Sequence, residues 1–116
     1  MRSGYRRLPA YEKAARLGDD LHGVVHTWRP LDQRTLGTQL LNAVDSIGAN
    51  IAEGAGRFTE RDRRRFFIIA RGSLLETEHW LARAEARGLL PQEYSGRLDD
   101  IARPLAGLIN KPGPKK

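Results

Sequence analysis

Apolar residues recur along this chain at intervals of three and four, and no segment alternates apolar and polar positions for long enough to make a strand. Ala10, Ala14, Leu17, Leu21, Val24, Val25 and Trp28 form a first helical stripe. Leu8-Pro9-Ala10-Tyr11 opens that helix, because proline is tolerated at the first helical position. Arg29-Pro30 closes it, because the residue before a proline is pushed out of the helical region. Residues 31–35 then read as a short linker. Leu36, Leu40, Ala43, Val44, Ile47 and Ile51 mark a second helix over about residues 36–53, with Gly54 and Gly56 at its exit. Thr59-Glu60-Arg61-Asp62 resembles a capping box and starts the longest helix, about residues 60–87. Its predicted inner face is Phe66, Ala70, Leu74, Leu81 and Ala84, with Trp80 at the edge and Gly88 and Pro91 as stop signals. A fourth helix over about residues 92–110 carries Tyr94, Leu98, Ile101, Ala102, Leu105, Leu108 and Ile109. Pro104 inside it should kink or locally break it.

Four amphipathic helices joined by short loops predict an all-α fold, an antiparallel up-down-up-down four-helix bundle. We expect one domain over residues 1–110, long enough to bury a core without staples, and a disordered basic tail over residues 111–116. The chain has no cysteine, which excludes disulfides, thiolate metal sites and a cysteine nucleophile. No stretch is apolar enough to span a bilayer, and Met1-Arg2-Ser3-Gly4-Tyr5-Arg6-Arg7 lacks the apolar run of a secretory signal, so the expected location is cytoplasmic with no membrane partner.

Charge sharpens this picture. With 20 Lys+Arg against 14 Asp+Glu, the formal net charge is +6. Residues 1–75 hold 13 basic and 8 acidic residues, and residues 76–116 hold 7 and 6, so most of the excess lies in the first part. A basic excess attracts polyanions by counterion release, although a merely solvated basic surface also produces one.

Two segments depart from simple amphipathic patterning. Ser46-Ile47-Gly48-Ala49-Asn50-Ile51-Ala52-Glu53-Gly54-Ala55-Gly56-Arg57 carries Asn and Glu near the apolar face, stops on glycines and delivers an arginine into the turn. Gly72-Ser73-Leu74-Leu75-Glu76-Thr77-Glu78 puts small polar residues where a core-facing helix is ordinarily apolar. With Leu36-Gly37-Thr38-Gln39-Leu40 and Phe66 through Ala70, these segments resemble the signatures of the ribosomal S23-like, or 23S rRNA intervening-sequence, protein family of small bacterial four-helix bundles. The resemblance extends from Tyr11 to about Ile109. It implies a four-helix bundle that assembles into homo-oligomers, with five-membered rings known. Some members are encoded within inserts in large-subunit ribosomal RNA genes. A related branch serves diversity-generating retroelements as an accessory protein, working with a reverse transcriptase and nucleic acid. Gly48-Ala49, where a Pro or Ser is common, and the bulky Trp80 are departures that leave the fold expectation intact.

Buried polar groups without partners cost about 1–3 kcal/mol each. Asn50, Glu53, Arg57, Ser73 and Glu76 are therefore expected to form a structural polar network: Arg57 donating to Glu53 or Glu76, and Asn50 bonding to Ser73 or to backbone. We read this set as structural because no nucleophile–base pair accompanies it, and the chain as a non-enzyme without cofactors. Glu76-x-x-His79 has the form used by di-iron bundles but lacks the second pair and the further glutamates. His22 and His26 lack an obvious third ligand. The glycines at 54 and 56 lack the strand and spacing of a phosphate loop.

Arg57, Arg61, Arg63, Arg64 and Arg65 cluster around the start of the third helix, while Arg6, Arg7, Lys115 and Lys116 are expected to act as mobile positive arms. Repeated around a homo-oligomer, such as a pentamer, these patches would bind RNA or DNA through phosphate contacts, with little reading of base sequence. The function expected on these grounds is a nucleic-acid or ribonucleoprotein accessory. The alternative is a protein-interaction scaffold, suggested by apolar residues outside the predicted core stripe, Leu41, Phe67 and Ile68.

Overall fold

The computed structural model describes residues 4–111, and among these there is no strand. Four long helices follow in order: α1 (Pro9–His26), α2 (Thr38–Ala55), α3 (Glu60–Ala86) and α4 (Ser95–Asn110). A short 3-10 turn, Gly4–Arg7, precedes α1. Each helix packs on its neighbour in the chain, and α4 returns to α1, with α2 and α3 forming the most extensive pairing. One buried cluster joins all four, including Leu17 and Leu21 of α1, Leu40, Ile47 and Ile51 of α2, Phe67 and Leu81 of α3, and Ile101 and Leu105 of α4.

Helix ends follow local chemistry. Pro9 opens α1. Thr59 caps α3, its side chain accepting from the Asp62 N–H at 3.1 Å. The far end of α3 closes in a Schellman arrangement, with the Leu89 N–H reaching the Ala84 carbonyl and the Gly88 N–H that of Glu85, both at 3.0 Å. Gly88 adopts φ +69°, the left-handed conformation that this closure requires.

The structure corrects the sequence reading at several points. The expected linker at 31–35 is helical: Pro30–Asp32 makes one α-turn and Gln33–Gly37 a π-turn that runs into α2. Pro30 therefore starts a helix rather than only ending one. The π-turn sits where α1 and α2 converge, since a Cβ on Gly37 would lie 2.7 Å from Val25 Cγ1. Gln33 reaches back across this junction, its Nε2 donating to the carbonyls of His26 at 2.9 Å and Val25 at 3.3 Å, and so caps α1.

The inner face of α3 is set by Phe67, 1% exposed, and not by Phe66, which is only half-buried. Gly54 decides between the two: a Cβ there would lie 2.8 Å from the Phe67 ring, so glycine opens the space that Phe67 fills. Leu41 likewise packs partly against the core, whereas Ile68 is exposed. α4 begins at Ser95 rather than at 92 and continues unbroken through Pro104. The carbonyl released by the missing N–H belongs to Asp100, an exposed residue, so water can satisfy it. Lys111 is still tied to α4 by its N–H to the Gly107 carbonyl at 2.9 Å; Lys115, Lys116 and the remainder of the expected tail lie outside the described residues.

Candidate nucleic-acid interface

The arginine cluster occupies the turn between α2 and α3, and its members do different jobs. Arg63 builds the turn, its Nη1 donating to the carbonyls of Arg57 at 2.9 Å and Phe58 at 3.0 Å. Arg57 donates to the Glu53 carboxylate at 2.5 Å, and its guanidinium lies 4.6 Å from the centre of the Phe66 ring. The Arg57 Nε is enclosed with no hydrogen-bond partner. Arg64 spans to α4, its Nε donating to the Ile109 carbonyl at 3.0 Å. This places a cation on the negative end of the α4 dipole. Arg65 lies 4.5 Å from the Phe66 ring centre and 3.5 Å from Asp62. Arg61, Arg64 and Arg65 are exposed and converge on one open groove with Thr59, Asp62, Ile68 and Ile69.

Arg6 and Arg7 lie in the folded 3-10 turn rather than on a mobile arm. Tyr5 in that turn packs edge-on against Tyr11, ring centres 4.8 Å apart. Gly4, Tyr5 and Leu8 share a cleft with Ala52, Ala55 and Gly56 at the end of α2. The turn at the start of α1, the end of α2, the start of α3 and, through Arg64, the end of α4 therefore gather at one pole. Seven arginines, Arg6, Arg7, Arg57, Arg61, Arg63, Arg64 and Arg65, belong to this pole. Four of them lie in the first two turns of α3, where the positive end of the helix dipole disfavours cations. Glu60 and Asp62 offset part of that repulsion.

The polar residues between α2 and α3 resolve into separate groups. Ser46 and Ser73 hydroxyls meet at 2.8 Å. Asn50 donates to the Ser46 carbonyl at 2.9 Å and to its hydroxyl at 3.1 Å, so it connects to Ser73 only through Ser46. Thr77, fully buried, donates to the Ser73 carbonyl at 2.8 Å. Arg57 and Glu53 form their own half-exposed pair nearby. Glu76 stands apart from both groups: it is exposed and accepts from Trp80 Nε1 at 3.4 Å.

His79 packs edge-on against Trp80, and among the described residues no three His, Asp or Glu side chains come together to hold a metal. On the α1–α2 face, Asp45 is exposed as a residue, but its carboxyl lies against α1, where a Cβ on Gly18 would come within 2.7 Å of Oδ1. This partial loss of solvent raises the carboxyl above its ordinary value, His22 opposing the shift and Asp19 adding to it. Among the described residues, no helix is long and apolar enough to cross a membrane.

Sequence reasoning passed over Phe58, whose side chain is 97% exposed within the arginine turn. The available signal was an aromatic residue placed directly between Arg57 and the Thr59 cap.

A family profile described as 23S rRNA-intervening sequence protein matches residues 6–111. No curated protein sequence matches the chain at a significant level.

Proposed function

Because the chain belongs to the 23S rRNA-intervening sequence protein family, we propose that it is a non-enzymatic accessory protein that binds the phosphate backbone of RNA or DNA through its arginine-rich pole. The observation that carries this reading is the crowding of Arg61, Arg63, Arg64 and Arg65 at the positive end of the α3 dipole. Arg63 and Arg64 offset their placement by bonding carbonyls, but the mutual repulsion of the four charges beside that dipole works against stability. The same crowding also builds the positive potential that a polyanion would relieve.

The architecture we propose is an up-down-up-down bundle repeated in a homo-oligomeric ring, with five copies as the working stoichiometry and the cytoplasm as its location. Contacts at both ends support the topology: Arg64 joins the start of α3 to the end of α4, while Trp28, after α1, donates to the Leu89 carbonyl after α3. Exposed Ile68, Ile69 and Leu75 on α3 support a subunit contact. The same residues favour the second reading, a scaffold that docks a protein partner such as a reverse transcriptase.

The test is binding of fluorescent single-stranded RNA and duplex DNA across a salt series. Arg63 and Arg64 hold carbonyls, so the variant is confined to Arg61→Gln with Arg65→Gln. Wild type should bind with steep salt dependence, and the variant should lose about one unit of log–log slope per arginine that contacts phosphate. Absence of binding at low salt, or an unchanged slope and affinity in the variant, would remove the polyanion role and leave the scaffold ahead.

A further inference from the structure

We propose that Phe58 is a stacking platform for an unpaired nucleobase, so that the basic pole takes single-stranded nucleic acid in preference to duplex. This inference rests on the reading of the pole as a phosphate-binding surface.

All three phenylalanines of the chain, Phe58, Phe66 and Phe67, lie in this region, and each has a different setting. Phe67 fills the space left by Gly54 and is buried. Phe66 is half-buried and already engaged by the Arg57 and Arg65 guanidiniums. Phe58 is 97% exposed, which leaves its ring open to solvent. It adds almost nothing to the core, so packing gives no reason for an aromatic there.

The backbone carrying Phe58 is held on both sides. Arg63 Nη1 bonds the Phe58 carbonyl and that of Arg57, the Arg57 N–H reaches the Gly54 carbonyl at 3.1 Å, and the next residue, Thr59, caps α3. A ring on a fixed turn loses little backbone freedom when a ligand stacks on it. Every nucleobase offers a π-face, so stacking suits a strand of any sequence, and the arginines carried by the same turn and the start of α3 can meet the strand's phosphates. Bases inside a duplex are stacked and paired, and they present no free face to such a ring.

The experiment measures anisotropy with three probes of equal length: an unstructured oligouridine strand, an abasic strand with the same phosphates, and a blunt duplex. Wild type is compared with Phe58→Ala and Phe58→Trp, with mass followed by light scattering and folding by thermal melts. Phe58→Ala should weaken oligouridine binding about tenfold, or about 1.4 kcal/mol, as expected for one lost base–aromatic stack. It should leave the abasic strand, the duplex, the mass and the melt unchanged, while Phe58→Trp retains wild-type binding. Equal weakening of all three probes would overturn the proposal, since the ring would then act through the shape of the turn. A change in assembly mass would overturn it in favour of a subunit contact. If wild type binds no probe, the phosphate-binding reading fails as well; if it binds all three and Phe58→Ala changes nothing, only the stacking inference fails.

Discussion

Substituting Gly54 by alanine tests the close packing that positions the arginine turn. Gly54 lies in the last turn of α2, and a Cβ there would sit 2.8 and 2.9 Å from two Phe67 ring carbons and 3.0 Å from the Arg63 carbonyl oxygen. Helix propensity alone would favour alanine by about 1 kcal/mol. Overpacking opposes it by about 1–3 kcal/mol. The upper part of that range applies, because Phe67 is enclosed and the carbonyl is backbone that cannot rotate aside. The expected net loss is about 1–2 kcal/mol, or a fall in Tm of about 5–10 °C for a chain of this size. Gly23→Ala in α1 is the control. Nothing lies within 4 Å of its Cβ position, so it should gain up to about 1 kcal/mol. Circular-dichroism melts and urea titrations at one fixed protein concentration would measure both. The cost of Gly54→Ala should also shrink in a Phe67→Leu background, where the nearest ring atoms are gone. If Gly54→Ala stabilises as Gly23→Ala does, or if its cost is the same in the Phe67→Leu background, the close approach of α2 and α3 is not what glycine serves at this position.

Two further outcomes follow from the same geometry. Arg63→Met removes two charge-assisted bonds to turn carbonyls and should lower stability by about 1–3 kcal/mol, whereas exposed Arg61→Gln should stay within about 0.5 kcal/mol; equal effects in urea titrations would contradict the division of labour within the cluster. The Asp45 carboxyl has a pKa raised by partial desolvation against α1, so its ionised form is less favourable in the folded state and stability falls slightly, the residue being exposed, as pH rises from the ordinary carboxylate value through the raised one. Asp45→Asn should therefore raise Tm at neutral pH and lose that advantage as the medium is acidified through this window; a difference independent of pH would show that ionisation is not the cause.

Much of the helical architecture could be read from spacing, because a stripe at the helical period survives any arrangement of neighbours. The choice between adjacent Phe66 and Phe67 could not, since either fits a broad apolar face and the decision depends on a hole left by Gly54 on another helix. Pro30 misled for a related reason: the same residue both disfavours helix before it and starts helix after it, and local sequence does not rank the two effects. In the candidate site, sequence revealed charges without their acceptors. Nothing along the chain distinguishes Arg63, which holds the turn, or Arg64, which reaches across to Ile109, from Arg61, which remains exposed. The Gly88 stop was legible because its left-handed conformation is a local requirement.

The bond from the Trp28 indole to the Leu89 carbonyl gives the protein an internal optical gauge. It links residues 61 positions apart, and Trp28 is only 8% exposed while the other tryptophan, Trp80, is half-buried. Separation of the α3–α4 connection from the end of α1 would hydrate one indole ahead of the other. Red-shifted emission from a Trp80→Phe variant would therefore time that local opening against loss of helix as a whole. In the intact protein, the same bond makes release of this connection and fraying of the end of α1 a shared event.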